Sequence, residues 1–142
     1  MKIHYPCTMA QLGNGKHYIS FFDFEEAHAK GETFEEALLN AEEALTLALE
    51  SRLEKGLTIP LPSHSAYPGA RFISPSVRVQ SALLVILSRG DQTLADLAKT
   101  LKTSWTAVSR LEDPSHWATL KQLSKIATAL GQRLVLSFEK ND

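Results

Sequence analysis

Apolar residues recur along this chain at two periods, and the switch between them marks out its elements. Phe34, Ala37, Leu38, Ala41, Leu45, Ala48 and Leu49 fall at helical spacing and make one stripe, with Glu35, Glu42, Glu43 and Glu50 mostly off it. Thr33 followed by Glu36 is a capping box, in which the hydroxyl takes the Glu36 amide and the carboxylate reaches back. Gly56 suits the left-handed position that ends such a helix. Ahead of it the pattern is shorter and β-rich. Residues 2–8 read as a strand, and His17-Tyr18-Ile19-Ser20-Phe21 reads as a second, joined to the first by the turn Gly13-Asn14-Gly15. Residues 27–30 add a short third extended piece.

Between residues 59 and 75 the chain carries Pro60, Pro62, Pro68 and Pro75, a linker composition crossed by one extra strand at Arg71-Phe72-Ile73. Helical patterns then follow over residues 76–88, 93–101, 104–112 and 119–130, the last closed by Gly131. The end, Arg133-Leu134-Val135-Leu136-Ser137-Phe138-Glu139, alternates and reads as a strand. A lone terminal strand needs a partner, and the same strand of a second chain is the simplest one. The expected fold class is therefore α+β. An N-terminal α/β module over residues 1–62 and a linker region over 63–75 precede a mainly helical domain over 76–142.

Composition narrows the class of function. With 142 residues, 44% apolar and 22% charged, the chain has globular proportions. No apolar run approaches a membrane span, and the first residues show no secretory pattern, so a cytoplasmic protein is expected. The lone Cys7 has no partner for an internal disulfide or a zinc knuckle. The net charge of −1 conceals a split: residues 1–70 carry 5 Lys/Arg against 10 Asp/Glu, and residues 71–142 carry 10 against 6. Two surfaces for two kinds of partner are implied, an acidic one for something basic and a basic one that tolerates a polyanion.

The most informative stretch runs from Leu94 to Glu112. Leu94, Leu97, Ala98 and Leu101 form one apolar face; after a break of about three residues, Val108 and Leu111 form the next. Two short helices joined so tightly must cross steeply, and Ala98 is small enough to let them approach. Ser104 is the N-cap of the second, which leaves Trp105, Thr106, Ser109 and Arg110 outward. This segment, with residues 119–130 as the following helix, resembles the Cro/repressor-like helix-turn-helix family. The resemblance implies base reading by Trp105, Thr106 and Arg110, with Ser109 nearby. Arg110 suits a bidentate contact with guanine, and Thr106 a base edge or a thymine methyl. Lys102, Lys121 and Thr93 would lie near phosphates, beside Ser104 at the helix start. Trp105 departs from the polar reader usual at its position.

The N-terminal module is similar to HicB antitoxins. The resemblance rests on Tyr18-Ile19-Ser20-Phe21-Phe22-Asp23-Phe24, then Gly31-Glu32-Thr33-Phe34-Glu35-Glu36-Ala37, Ala41-Glu42-Glu43-Ala44-Leu45 and Ile59-Pro60-Leu61-Pro62. With the helix-turn-helix it covers nearly the whole chain. It implies a partial ribonuclease-H-like fold that binds the HicA toxin, a small basic mRNA-cleaving ribonuclease. Asp23, Glu25 and Glu26 cluster after the hairpin and, with Tyr18 and Phe22, form the candidate toxin contact. The alternative for the aromatic residues is that Phe22 and Phe24 are core.

Catalysis by the module is not expected, nor is any cofactor. Two-metal nuclease chemistry needs converging carboxylates, and the strands offer almost none. His4, His17 and His28 lack metal-ligand spacing, and neither Gly-x-Ser-x-Gly nor a phosphate-binding glycine loop is present. The sequence thus reads as a non-enzymatic antitoxin that blocks a HicA-like toxin and represses its own operon as a homodimer on operator DNA. The alternative is a repressor whose N-terminal module senses a small ligand.

Overall fold

A turn built on glycine opens the structure. β1 (Tyr5–Gln11) and β2 (His17–Phe21) are antiparallel, with Gln11 opposite His17 and Cys7 opposite Phe21. Between them Gly15 takes φ +82°, and the Leu12 amide donates to the Lys16 carbonyl at 2.7 Å. β3 (His28–Gly31) pairs with β2, and β4 (Arg71–Ile73) pairs with the start of β1, so the antiparallel sheet has the order β3-β2-β1-β4. The first strand begins three residues later than its sequence suggests and runs on to the turn, because its extent is set by β2 and β4 rather than by its own alternation.

The structure, a computed structural model, describes residues 1–62 and 69–140; the first part of the expected linker, residues 63–68, lies outside the described residues. Two compact units are formed, Met1–Gln80 and Ser81–Asp142. The first extends well past residue 62 because β4 belongs to its sheet.

α1 (Phe34–Glu54) lies over one face of that sheet. Its N-cap is Thr33, whose hydroxyl accepts from the Glu36 amide at 3.1 Å, and it stops before Gly56 at φ +68°. The buried stripe is Ala37, Ala41, Leu45, Ala48 and Leu49, and on the strands Tyr5, Cys7, Ile19, Phe21, Ala29 and Ile73 are buried. Phe34 and Leu38, expected on the stripe, are half-buried at its edge. The alanines let α1 approach closely, closest at Gly31, where the Ala37 backbone leaves no space for a side chain.

α2 (Val77–Arg89) spans the boundary between the two units. The second unit is completed by α3 (Leu94–Leu101), α4 (Trp105–Leu111) and α5 (Leu120–Ala129). Its core is Val85, Leu97, Ala98, Val108, Leu111 and Ile126. All three of these helices start at hydroxyl caps, Thr93, Ser104 and Thr119, each accepting from the amide three residues on. At Thr119 the box is reciprocal, since the Gln122 side chain accepts from the Thr119 amide at 2.9 Å.

The terminal segment is expected to find its strand partner in a second chain, and the described residues of this chain alone supply none. Residues 132–140 pair with no strand among the described residues of this chain and are mostly exposed, including Val135, Leu136 and Phe138. Alternation alone cannot make a ladder; a strand exists only beside another.

Candidate functional surfaces

On the second unit the inward side chains of α3 and α4 decide what is left outside. Leu97, Ala98, Val108 and Leu111 are buried. With Val108 and Leu111 turned in, Thr106 and Arg110 lie one turn apart on the outer side of α4, both exposed. Trp105 precedes Thr106 and is 56% exposed. Ser109 is half-buried. The hydroxyls of Thr93 and Ser104 act as caps by accepting, which leaves each O–H hydrogen able to donate outward.

The link between α3 and α4 turns at Lys102, with φ 54° and ψ 47°. This left-handed conformation is the usual place for glycine. The Thr103 amide closes the turn on the Ala98 carbonyl at 3.0 Å and the Lys102 amide donates to Lys99 at 3.2 Å. Lys102 is exposed there. Lys121 and Lys125 of α5 line a shallow groove with Thr100, Leu101 and Thr128. The groove is thus cationic and hydroxyl-bearing, and Lys102 and Arg110 are exposed on the neighbouring turn and on α4. Sequence reading missed Trp117, which is 68% exposed between the Asp113 turn and the Thr119 cap. Its signal was available: a tryptophan outside every apolar stripe.

On the first unit the strand register arranges the face of the sheet away from α1. Thr8, Ser20 and His28 stand in one row across β1, β2 and β3, and Ala10, Tyr18 and Lys30 in the next. The Thr8 and Ser20 hydroxyls are hydrogen-bonded at 2.8 Å, and the Tyr18 and His28 rings lie 6.2 Å apart. Phe22 follows β2, bonded through its amide to the Pro6 carbonyl, and its side chain is 43% exposed. Phe24 is core: it meets the Tyr5 ring edge-on at 4.8 Å and carries the Arg52 guanidinium over its face at 4.7 Å.

The three acids after the hairpin separate. Glu25 is exposed. Glu26 is held by Arg52 through two bonds of 2.7 and 2.9 Å, and this hydrogen bonding lowers its carboxyl pKa below the usual range. Asp23 has one carboxylate oxygen buried with no hydrogen-bond partner among the described residues. Beneath them the Tyr5 hydroxyl donates to the Pro60 carbonyl at 2.9 Å, which pins the segment after α1 to the sheet. Burial first, and the Asp23 charge second, push the Tyr5 phenol above its ordinary pKa. Among the described residues, no group of three or more His, Cys, Asp or Glu is placed to hold a metal, and no helix is long and apolar enough to cross a membrane.

α1 adds a feature that sequence reading passed over. Leu39 and Leu47 are 69% and 58% exposed on its solvent side, with exposed Glu43 between them on the same line. Glu35, Glu36, Glu42 and Glu54 are also exposed along this helix.

Residues 4–81 match the family model described as the HicB-like antitoxin of bacterial toxin-antitoxin systems. The chain is 32% identical over 139 residues to antitoxin HicB 1 of Photorhabdus laumondii, covering 96% of this chain and 88% of the relative. It is 30% identical over 136 residues to antitoxin HicB of Escherichia coli, covering 94% and 98%. The N-terminal domain of the Burkholderia pseudomallei antitoxin HicB, a solved structure, aligns with a TM-score of 0.43 at 23% identity, covering 53% of this chain and 98% of that one.

Proposed function

The chain belongs to the HicB-like antitoxin family of bacterial toxin-antitoxin systems, and from that premise we propose a two-armed protein. Its N-terminal unit binds and blocks a small basic HicA-like toxin ribonuclease. Its C-terminal unit is a helix-turn-helix that binds operator DNA and represses the operon, which places the protein in the cytoplasm. The N-terminal unit is read as a partial ribonuclease-H-like fold acting as a binding surface and not as an enzyme.

The observation that carries the DNA-binding arm is the exposure of Thr106 and Arg110 on one side of α4 while Val108 and Leu111 anchor the other. A helix so presented suits a major groove, with Arg110 toward guanine and Lys102 and Lys121 toward phosphates. One such unit reads a short half-site, so two copies on a pseudo-palindrome are expected. Residues 133–139, with Val135, Leu136 and Phe138 exposed, support pairing between two copies through this segment.

The test separates the arms. Arg110→Ala should abolish binding to the operon's own promoter DNA in a gel-shift assay, while protection of cells from the neighbouring toxin gene survives. Loss of both activities in a folded variant refutes the two-armed reading.

A further inference from the structure

The line Leu39–Glu43–Leu47 on α1 is a ridge about 12 Å long, at a rise of 1.5 Å per residue. Both leucines are more than half exposed, although α1 already has a complete buried stripe on its other side. A single exposed leucine means little, but two on one line with a carboxylate between them make an amphipathic contact strip. The exposed charges of α1 are all acidic. Glu35, Glu36, Glu42, Glu43 and Glu54 are exposed, and none forms an ion pair among the described residues. Glu50 is engaged by Arg78 at 3.1 Å, and Arg52 is spent on Glu26.

We propose that this ridge is the docking surface for the basic toxin, with the leucines as apolar anchors and the glutamates receiving its Lys and Arg side chains. The inference rests on the antitoxin reading and moves the contact from the loop after β2 to the outer side of α1. Charge selects the occupant. Unpaired carboxylates repel nucleic acid and anionic lipid alike, and a second copy would set the same acids against themselves across a two-fold axis. A cationic protein surface gains from every one of them, chiefly in association rate and specificity, while the buried leucines slow dissociation.

The full chain is titrated with the purified small basic protein of the neighbouring reading frame, carried as an inactive variant. Leu39→Ser/Leu47→Ser and, separately, Glu43→Lys should each raise Kd by about tenfold or more. The thermal midpoint should stay near that of the wild type, because all three side chains are exposed. Asp91→Lys, the same charge change in the other unit, should leave Kd unaltered. The proposal is overturned if the ridge variants bind within twofold of wild type while Phe22→Ala releases the partner; the antitoxin reading then stands with the contact at the loop after β2. It is equally overturned if the ridge variants change the mass of the free protein instead of toxin affinity. Failure of the wild-type chain to bind that protein at all removes the antitoxin reading itself.

Discussion

Arg89 grips Glu112 with two short hydrogen bonds, 2.6 Å from Nε and 2.9 Å from Nη2, while its Nη1 donates to the Gln92 carbonyl at 2.7 Å. The pair ties the end of α2 to the C-cap of α4, the helix that carries Thr106 and Arg110. Both side chains are largely withdrawn from water, at 20% and 13% exposure. The hydrogen bonds raise the Arg89 pKa further, so its charge is permanent.

Removing the acid therefore strands a cation. Glu112→Ala should cost about 2 kcal/mol in urea unfolding, less than for a fully buried pair because some water reaches it. A double replacement, Arg89→Met with Glu112→Leu, should recover most of that loss, because no unpaired charge remains. A single-variant loss below about 0.5 kcal/mol would mean that solvent already screens the pair.

Lys102 makes the opposite trade. Its left-handed backbone costs a non-glycine residue roughly 1 kcal/mol, so Lys102→Gly should raise the unfolding free energy by about that amount. On the proposed DNA-binding reading, in which Lys102 meets a phosphate, the same variant should bind operator DNA more weakly and with a salt slope shallower by about 1. Unchanged salt dependence would remove Lys102 from the DNA surface.

What the sequence made legible was local chemistry. Thr33, Gly15 and Gly56 punctuate the chain through backbone rules that act within a few residues, and the structure has its caps and turns there. Partner-dependent features were not legible in the same way. The limits of β1 follow from β2 and β4, and β4 joins the sheet from a proline-rich tract. Glu26 looked free until Arg52, 26 residues away, closed on it. Residues 133–139 alternate like a strand, and no described element of this chain supplies the edge that would complete one. Leu39 and Leu47 were visible as leucines off the stripe, but only burial shows that the fold leaves them uncovered.

Cys7 sets an alkaline limit on the N-terminal unit. Burial pushes its thiol up to about 11, against only a small opposing effect of Arg71. A group whose pKa is raised on folding stabilises fully below its unfolded value and loses that contribution as pH rises through the folded one. Stability should hold to about pH 8.5 and then fall, by about 2 kcal/mol from Cys7 toward pH 11, with Tyr5 adding to the fall from about pH 10 upward. Iodoacetamide at pH 8 should leave Cys7 untouched in the native chain and label it in urea. Fast native labelling would show that β1 opens, because a buried neutral thiol does not react.

Gly31 is the tightest point of the first unit. It sits in β3 beneath the first turn of α1, where an added methyl would lie 2.9 Å from the Ala37 α-carbon and closer still to its amide nitrogen. Those atoms are backbone and cannot swing aside, so Gly31→Ala must push α1 off the sheet or shift β3. The expected loss is about 3 kcal/mol, at the upper end for overpacking. Since the clash is confined to β3 and α1, promoter binding by the C-terminal unit should be less affected than toxin neutralisation. Hydrogen exchange at α1 amides would report the displacement directly, and protection equal to wild type would mean that the strand, not the helix, had yielded.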